Sequence, residues 1–465
     1  MIERIRGIAS ARLPGQETIS ADGNCHVESA GPAVVEHSAD AVETTQHPLS
    51  STTSSLTTPY DVAAIRAQFP VLQQQLEHGF PVYLDSGASA QKPQVVIDKE
   101  REVECQYYAN AYRGRYAFGA RVDEELETAR GRIAQFLNAE TSNCIAFTPG
   151  STAGLNMIAF GWGRRHVGAG DEVLVSLMEH HANFVPWQQL ARQQGARFRV
   201  IPLTDDGQLD LDAFDQMLSP RTKVVSLCGM SNVLGTCPPL NEIVPRVRAV
   251  GACLVIDAAQ SAAHMPTDVR EADIDFLVFS GHKLYGPSGV GVLYGRPDRL
   301  EETDPFLFGG HMISRVTIEA SEWAAPPARF EAGTLPIVQA IGLGAAVEWV
   351  NSIGLDRIHR HEQQLTAYAM QQLQQVPHLR IFGPAAAERG GLISFRMDDV
   401  HPEDLAALMD RQHVFTRHGH HCAMPLHEAL GVSATTRASF AAYNTTDDVD
   451  ALITAIRAAR ETLHR

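Results

Sequence analysis

The sequence has no apolar run near the roughly 18 residues that a membrane-spanning helix needs. No two of its seven cysteines (Cys25, Cys105, Cys144, Cys228, Cys237, Cys253, Cys422) form a CxxC pair, and their number is odd. Both facts argue against a disulfide framework and a structural zinc site. Basic residues are in the minority, with 38 Lys and Arg against 54 Asp and Glu and a formal net charge of -16. A general nucleic-acid binder needs a basic face to neutralise phosphates, so the charge balance argues against that class. Hydrophobic residues reach 44%, enough for a large core. At about 150 residues per domain, the length gives a soft expectation of roughly three domains.

Residues 1–60 lack Lys, Phe and Trp, and hold three arginines (Arg4, Arg6, Arg12) against seven acids. Ser and Thr crowd the run from Ser50 to Thr58. Such a stretch cannot bury enough apolar surface to offset its ordering entropy, so a disordered extension is expected there. A secretory signal does not fit, because no apolar core follows the first charges, and the acids from Glu17 to Glu43 argue against a transit peptide. A cytoplasmic protein with free thiols is therefore expected. Ile2, Ile5 and Ile8 recur at roughly helical spacing, so the tail also reads as a docking peptide with a spacer behind it. The plain alternatives are an extension with no partner or a wrongly assigned start.

From Asp61 the texture changes. Strand-length apolar runs occur at Cys144–Thr148, Glu172–Leu177, Arg197–Pro202, Lys223–Leu227, Cys253–Asp257, Phe276–Ser280 and Val290–Tyr294. Helical patterns fall between several of them, at Gly150–Arg165, Asn183–Gln194 and Leu240–Gly251. Near-continuous apolar strands with intervening helices predict a mostly parallel sheet covered on both faces. One long helix is expected from Ile337 to Val376. Strands near Leu379–Phe382 and Leu392–Met397, a helix from Pro402 to Gln412 and a last helix from Asp447 then predict a smaller α+β domain. The expected division is an extension over 1–60, a large α/β domain over 61–350 and a small C-terminal domain over 351–465.

Several strand ends carry chemistry. Asp257 closes an apolar strand, where open α/β sheets place ligand groups. It reads either as a helix N-cap or as an anion facing a cationic ring nitrogen. Lys283, in Ser280-Gly281-His282-Lys283, is a candidate Schiff-base lysine, and its pairing with Asp257 points to pyridoxal phosphate. Gly150-Ser151-Thr152 opens a helix and suits a phosphate cradle or, more plainly, an N-cap. His180 could stack on a cofactor ring or be structural, and Asn232 could bond the ring's phenolic oxygen. In Arg417-His418-Gly419-His420-His421-Cys422, a metal cluster is disfavoured because the crowded ligands lack a second pair at loop spacing. A reactive Cys422 is the better reading, since a His- and Arg-rich loop lowers a thiol pKa. Arg437 lies in a strand pattern, where its fork could clamp a substrate carboxylate.

Together these residues resemble the class V aminotransferase family of fold-type I pyridoxal-phosphate enzymes, and within it the group II, SufS-type cysteine desulfurases. The resemblance spans about Asp61 to the C-terminus. It rests on Tyr83-Leu-Asp-Ser86, Met178-Glu-His-His-Ala-Asn183, Ser231-Asn-Val-Leu-Gly-Thr236, Ser280-Gly-His-Lys-Leu-Tyr-Gly-Pro287, Phe330-Glu-Ala-Gly-Thr334 and Arg417-x-Gly-His-His-Cys-Ala-Met-Pro425. In combination these motifs are highly specific.

The resemblance implies a fold-type I transferase: a large domain with a mostly parallel seven-stranded sheet plus a small C-terminal α+β domain. It implies pyridoxal 5'-phosphate held by Lys283, with Asp257 at the pyridine nitrogen and Gln260 and Asn232 at the ring oxygen. Ser151, Thr152, Ser280 and His282 would hold the phosphate, reached also by Thr334 from a partner subunit of a homodimer. His180 would stack on the ring and Arg437 would bind the carboxylate of L-cysteine. Cys422 would take the sulfur as a persulfide, with Arg417 supporting its loop, and alanine would leave. The persulfide would pass to an acceptor protein of the SufE or SufU kind for iron–sulfur assembly. Selenocysteine lyase or another pyridoxal-phosphate lyase is the nearest alternative; a transaminase would leave Cys422 without a task. Some desulfurases of this type are cargo of encapsulin-like shells and carry long disordered N-terminal extensions, which gives the tail an expected partner. The sequence departs from the family where His-Arg-Gly-x-His is usual: both His positions are Tyr here, Tyr112 and Tyr116, and a usual Arg before the phosphate loop is Pro149.

Overall fold

A computed structural model describes residues 60–77 and 79–463. The disordered extension expected over 1–60, with its docking peptide and shell partner, lies outside the described residues except for Tyr60, whose hydroxyl donates to the Ala442 carbonyl at 2.7 Å.

Seven strands form the larger sheet. In spatial order they are Ile145–Thr148, Gly291–Gly295, Phe276–Ser280, Cys253–Asp257, Thr222–Cys228, Glu172–Ser176 and Arg197–Ile201. All neighbours are parallel except around Gly291–Gly295, which runs antiparallel to both of its partners. The expected strands are therefore present, with ends that differ by at most a residue. Five of the seven are buried along their whole length, as a sheet covered on both faces requires. The outer strand Arg197–Ile201 is more exposed and carries Arg197 and Arg199, charges that keep an edge from pairing further.

The expected helix from Ile337 to Val376 is two helices, Ile337–Ile353 and Leu355–Leu373, bent by 73°. Gly354 sits at the break with φ 92°, a backbone angle that side chains resist, so apolar periodicity continues where the helix does not. The first half is nearly all buried. A Cβ at its Gly344 would meet the Ala129 Cβ at 2.6 Å, so the glycine permits close packing on the helix Ala117–Phe136. The pattern over Gly150–Arg165 is also interrupted: an α-helical Ser151–Met157 passes into a wider π-turn at Ile158–Gly163.

A second, antiparallel sheet has the order Leu379–Phe382, Leu392–Met397, Thr435–Ser439 and Arg417–Gly419. Leu365, Leu373, Phe395, Leu405, Leu452 and Ile456 share a core beneath it. An early segment also joins this region. Val82–Tyr83 pairs in parallel with Val414–Phe415, and Asp85 bridges to Ser439. That thread carries Asp85 to a place no local pattern announces.

Candidate active site

The parallel strands end along one edge, where ligands bind in open α/β sheets. A cavity of about 280 Å³ lies there, closed on its other side by the smaller sheet. Its lining includes Ser151, Thr152, His180, Asn232, Asp257, Gln260, Ser280, His282, Lys283, Arg417, Cys422 and Arg437. Nearly every expected site residue is thus brought into one space from separate strand ends. Thr334 is the exception: it lines a different cavity with Tyr112, Arg113 and His311.

Asp257 is buried, and its Oδ1 accepts the Ala259 N–H at 3.0 Å. Burial raises its pKa, while Lys283 pulls it back down. Lys283 is the converse: burial lowers its pKa from 10.5 to about 8, and Asp257 opposes that shift. A lysine so placed carries a usable fraction of free amine near neutral pH.

At the start of helix Ser151–Met157, the Ser151 N–H donates to Ser280 Oγ at 2.9 Å, and the two hydroxyls are 2.8 Å apart. Gly150 has φ 148°, and a Cβ at Gly291 would meet Gly150 Cα at 2.6 Å. Two glycines therefore let the backbone close up beneath a helix start lined with hydroxyls, the geometry that receives an anion.

His180 Nδ1 accepts the Ala182 N–H at 3.0 Å, so the ring carries its proton on Nε2. Burial, Lys283, His181 and Arg437 hold its pKa at about 4, and the ring is neutral. Burial and Lys283 likewise hold His282 at about 4. The preceding Glu179 anchors this turn: its carboxylate accepts from Ser176 Oγ, Asn183 Nδ2 and the Cys228 N–H. Burial pushes Glu179 up to about 7.

The two amides are partly committed within the protein. Gln260 Nε2 donates to the Gly87 carbonyl at 2.6 Å, and Asn232 Nδ2 donates to the His421 carbonyl at 2.7 Å. The second of these bonds ties the strand-end loop to the thiol loop.

Arg437 is buried, donates from Nη1 to the Asn232 carbonyl at 2.9 Å, and has a buried Nε with no partner. Its Nη2 lies 3.3 Å from Asp85 Oδ1. Arg417 grips the same carboxylate with a fork, at 3.1 Å from Nε and 2.9 Å from Nη2. Asp85 belongs to the Tyr83-Leu-Asp-Ser86 motif, but no local pattern announces this task, because its partners are more than 330 residues away.

Tyr112, in place of the usual histidine, donates to Glu127 Oε1 at 2.8 Å, accepts from Arg130 Nη2 at 3.0 Å and stacks on His311. Burial raises its pKa, so it stays a neutral phenol. Tyr116 is exposed.

Comparison with known proteins gives the family. The aminotransferase class-V family matches residues 82–452. A probable cysteine desulfurase of Streptomyces coelicolor is 46% identical, covering 86% of this chain and 97% of the relative. A cysteine desulfurase of Serratia proteamaculans is 44% identical over 87% of this chain and 99% of its own. Among solved structures, the cysteine desulfurase CsdA of Escherichia coli superposes with TM-score 0.81 at 38% identity, covering 87% of this chain and all of that one. The apo cysteine desulfurase of Thermococcus onnurineus gives 0.82 at 33% identity, covering 86% and 98% of the two chains. The chain belongs to the aminotransferase class-V family, and within it to the cysteine desulfurases.

Proposed function

We propose that this protein takes sulfur from L-cysteine, releases L-alanine and holds the sulfur as a persulfide on Cys422, with pyridoxal phosphate bound through Lys283. The observation that carries the reading is the meeting of Lys283, Asp257, His180, Arg437 and Cys422 in one cavity.

The residues present fit the cofactor. Asp257 is a buried carboxylate opposite a buried amine, the pair that a pyridine nitrogen and an aldehyde require. Ser151, Thr152, Ser280 and His282 would take the phosphate at the helix start, and Gln260 and Asn232 keep amide donors at the cavity. When bound, the cofactor supplies an electron sink for the substrate's Cα. The chain's own groups do the rest. Arg437, which lines the cavity, would receive the substrate carboxylate. Lys283, free amine in part, takes the Cα proton. Neutral His180, a lining residue of the cavity with its proton on Nε2, would pack against the cofactor ring. The Cys422 thiolate attacks the substrate sulfur: one C–S bond breaks, one S–S bond forms, and cysteine plus thiol becomes alanine plus persulfide with no further oxidant.

Two partners belong to the same proposal. Thr334 lines a cavity other than that of Lys283, which supports a homodimer in which it serves the partner's phosphate site. Cys422 is exposed, as delivery to an acceptor protein of the SufE or SufU kind requires. Cysteine rather than selenocysteine is the favoured substrate, because the curated relatives are named for it. The test is a pair of variants. Lys283→Ala should lose both the yellow chromophore and turnover; Cys422→Ala should keep the chromophore and lose sulfur transfer. Full cysteine turnover by Cys422→Ala would contradict the reading.

A further inference from the structure

The loop that carries Cys422 is held in an unusual shape. His421 and Cys422 have φ of 50° and 57°, consecutive left-handed residues with no glycine between them. Non-glycine residues keep such angles only where surrounding contacts impose them. The bond from Ala423 N–H to the His420 carbonyl, at 2.9 Å, closes the turn but lies inside it. Further bonds to this backbone come from outside: Asn232 Nδ2 holds the His421 carbonyl, and two more go to one residue of a different loop. The His181 N–H donates to the Cys422 carbonyl at 2.7 Å. The Met424 N–H donates to His181 Nε2 at 3.0 Å. His181 thus brackets the thiol residue from both sides, and it is the neighbour of His180, itself a cavity residue.

We infer that His181 is the positioning residue of the sulfur-transfer step: its backbone and ring together latch the left-handed Cys422 turn against the cavity. An acceptor nitrogen at Nε2 requires a neutral ring with its proton on Nδ1. Burial and the nearby His420 lower the His181 pKa and keep the ring in that form. The latch also explains how a thiol can be both exposed and aimed. Met424 and Cys422 face solvent, so losing the ring bond loosens the thiol side of the turn while Asn232 still holds His421.

The inference rests on Cys422 being the sulfur acceptor, and its test separates the two claims. Three variants of the full chain are compared with the native protein: His181→Ala, His181→Asn and His181→Gln. A glutamine amide oxygen can occupy the place of Nε2; an asparagine is too short to reach the Met424 N–H. The readouts are the iodoacetamide alkylation rate of Cys422, relative to exposed Cys105 in the same molecule, and amide exchange over residues 420–424. Both are measured with and without pyridoxal phosphate. The latch predicts that Ala and Asn raise alkylation and exchange at least fivefold, while Gln stays within twofold of native. Unchanged values for Ala, or Gln behaving like Asn, would overturn the latch. These readouts need no turnover, so they can fail while the native chain still forms persulfide. Absence of persulfide in the native chain would instead overturn the desulfurase reading.

Discussion

Arg417 and Arg437 stand directly opposite one another across the antiparallel ladder of the smaller sheet. Like charges in register repel. Asp85 resolves the conflict by accepting from both, with a fork from Arg417 and a single contact from Arg437. The early thread of residues 82–85 is therefore part of the site, although it is remote from it in sequence.

Asp85→Asn should strip the buried Arg437 of the one carboxylate it pairs with among the described residues. An uncompensated buried charge costs about 3 kcal/mol or more. Arg417 is half exposed, so Arg417→Ala should cost about 1 kcal/mol or less. Urea unfolding of both variants measures this, and equal losses would contradict the assignment.

Arg437→Lys keeps the charge but loses the fork. Losing a charge-assisted bond of about 1.5–3 kcal/mol should lower kcat/KM for L-cysteine about 10- to 150-fold, mostly through KM. An unchanged KM would mean that the carboxylate binds elsewhere.

Gly87 presses on the same arginine. A Cβ there would sit 3.2 Å from Ser439 Cβ and 3.3 Å from Arg437 Cζ. Gly87→Ala should shift the guanidinium and raise KM several-fold while leaving the chromophore intact. Steady-state kinetics beside an absorbance spectrum would show it; a lost chromophore with normal KM would be the wrong pattern.

Lys283 makes a pH prediction. In cofactor-free protein its acylation rate should climb with a midpoint near pH 8, against 10.5 for an ordinary lysine. Asp257→Asn removes the anion that opposes the shift and should move the midpoint lower. The sign for stability follows. Between about 8 and 10.5 the unfolded chain binds the extra proton, so this group's contribution to stability rises with pH across that window. A midpoint near 10.5 would show that the amine is not desolvated.

Legibility in the sequence followed locality. The seven strands of the large sheet were readable because burial on both faces leaves continuous apolar runs, and the residues after them point to one edge. Lys283, Asp257 and Ser151 could be placed for that reason. The break at Gly354 was not readable, because the apolar period runs through it. Asp85 and His181 were missed as contacts for a different reason. Their partners, Arg437 and Met424, lie 352 and 243 residues away, and no periodicity reports such a pairing. Thr334 shows the same limit across chains, since its own cavity is not the one it is proposed to serve.

The central claim is that Cys422 takes the sulfur. One equivalent of L-cysteine is mixed with cofactor-loaded protein, and Cys422 persulfide is quantified by peptide mass spectrometry alongside released alanine. The account predicts one persulfide on Cys422 per alanine, and none on Cys105 or Cys237. Alanine released with Cys422 still a thiol, or sulfur found on another cysteine, would contradict it.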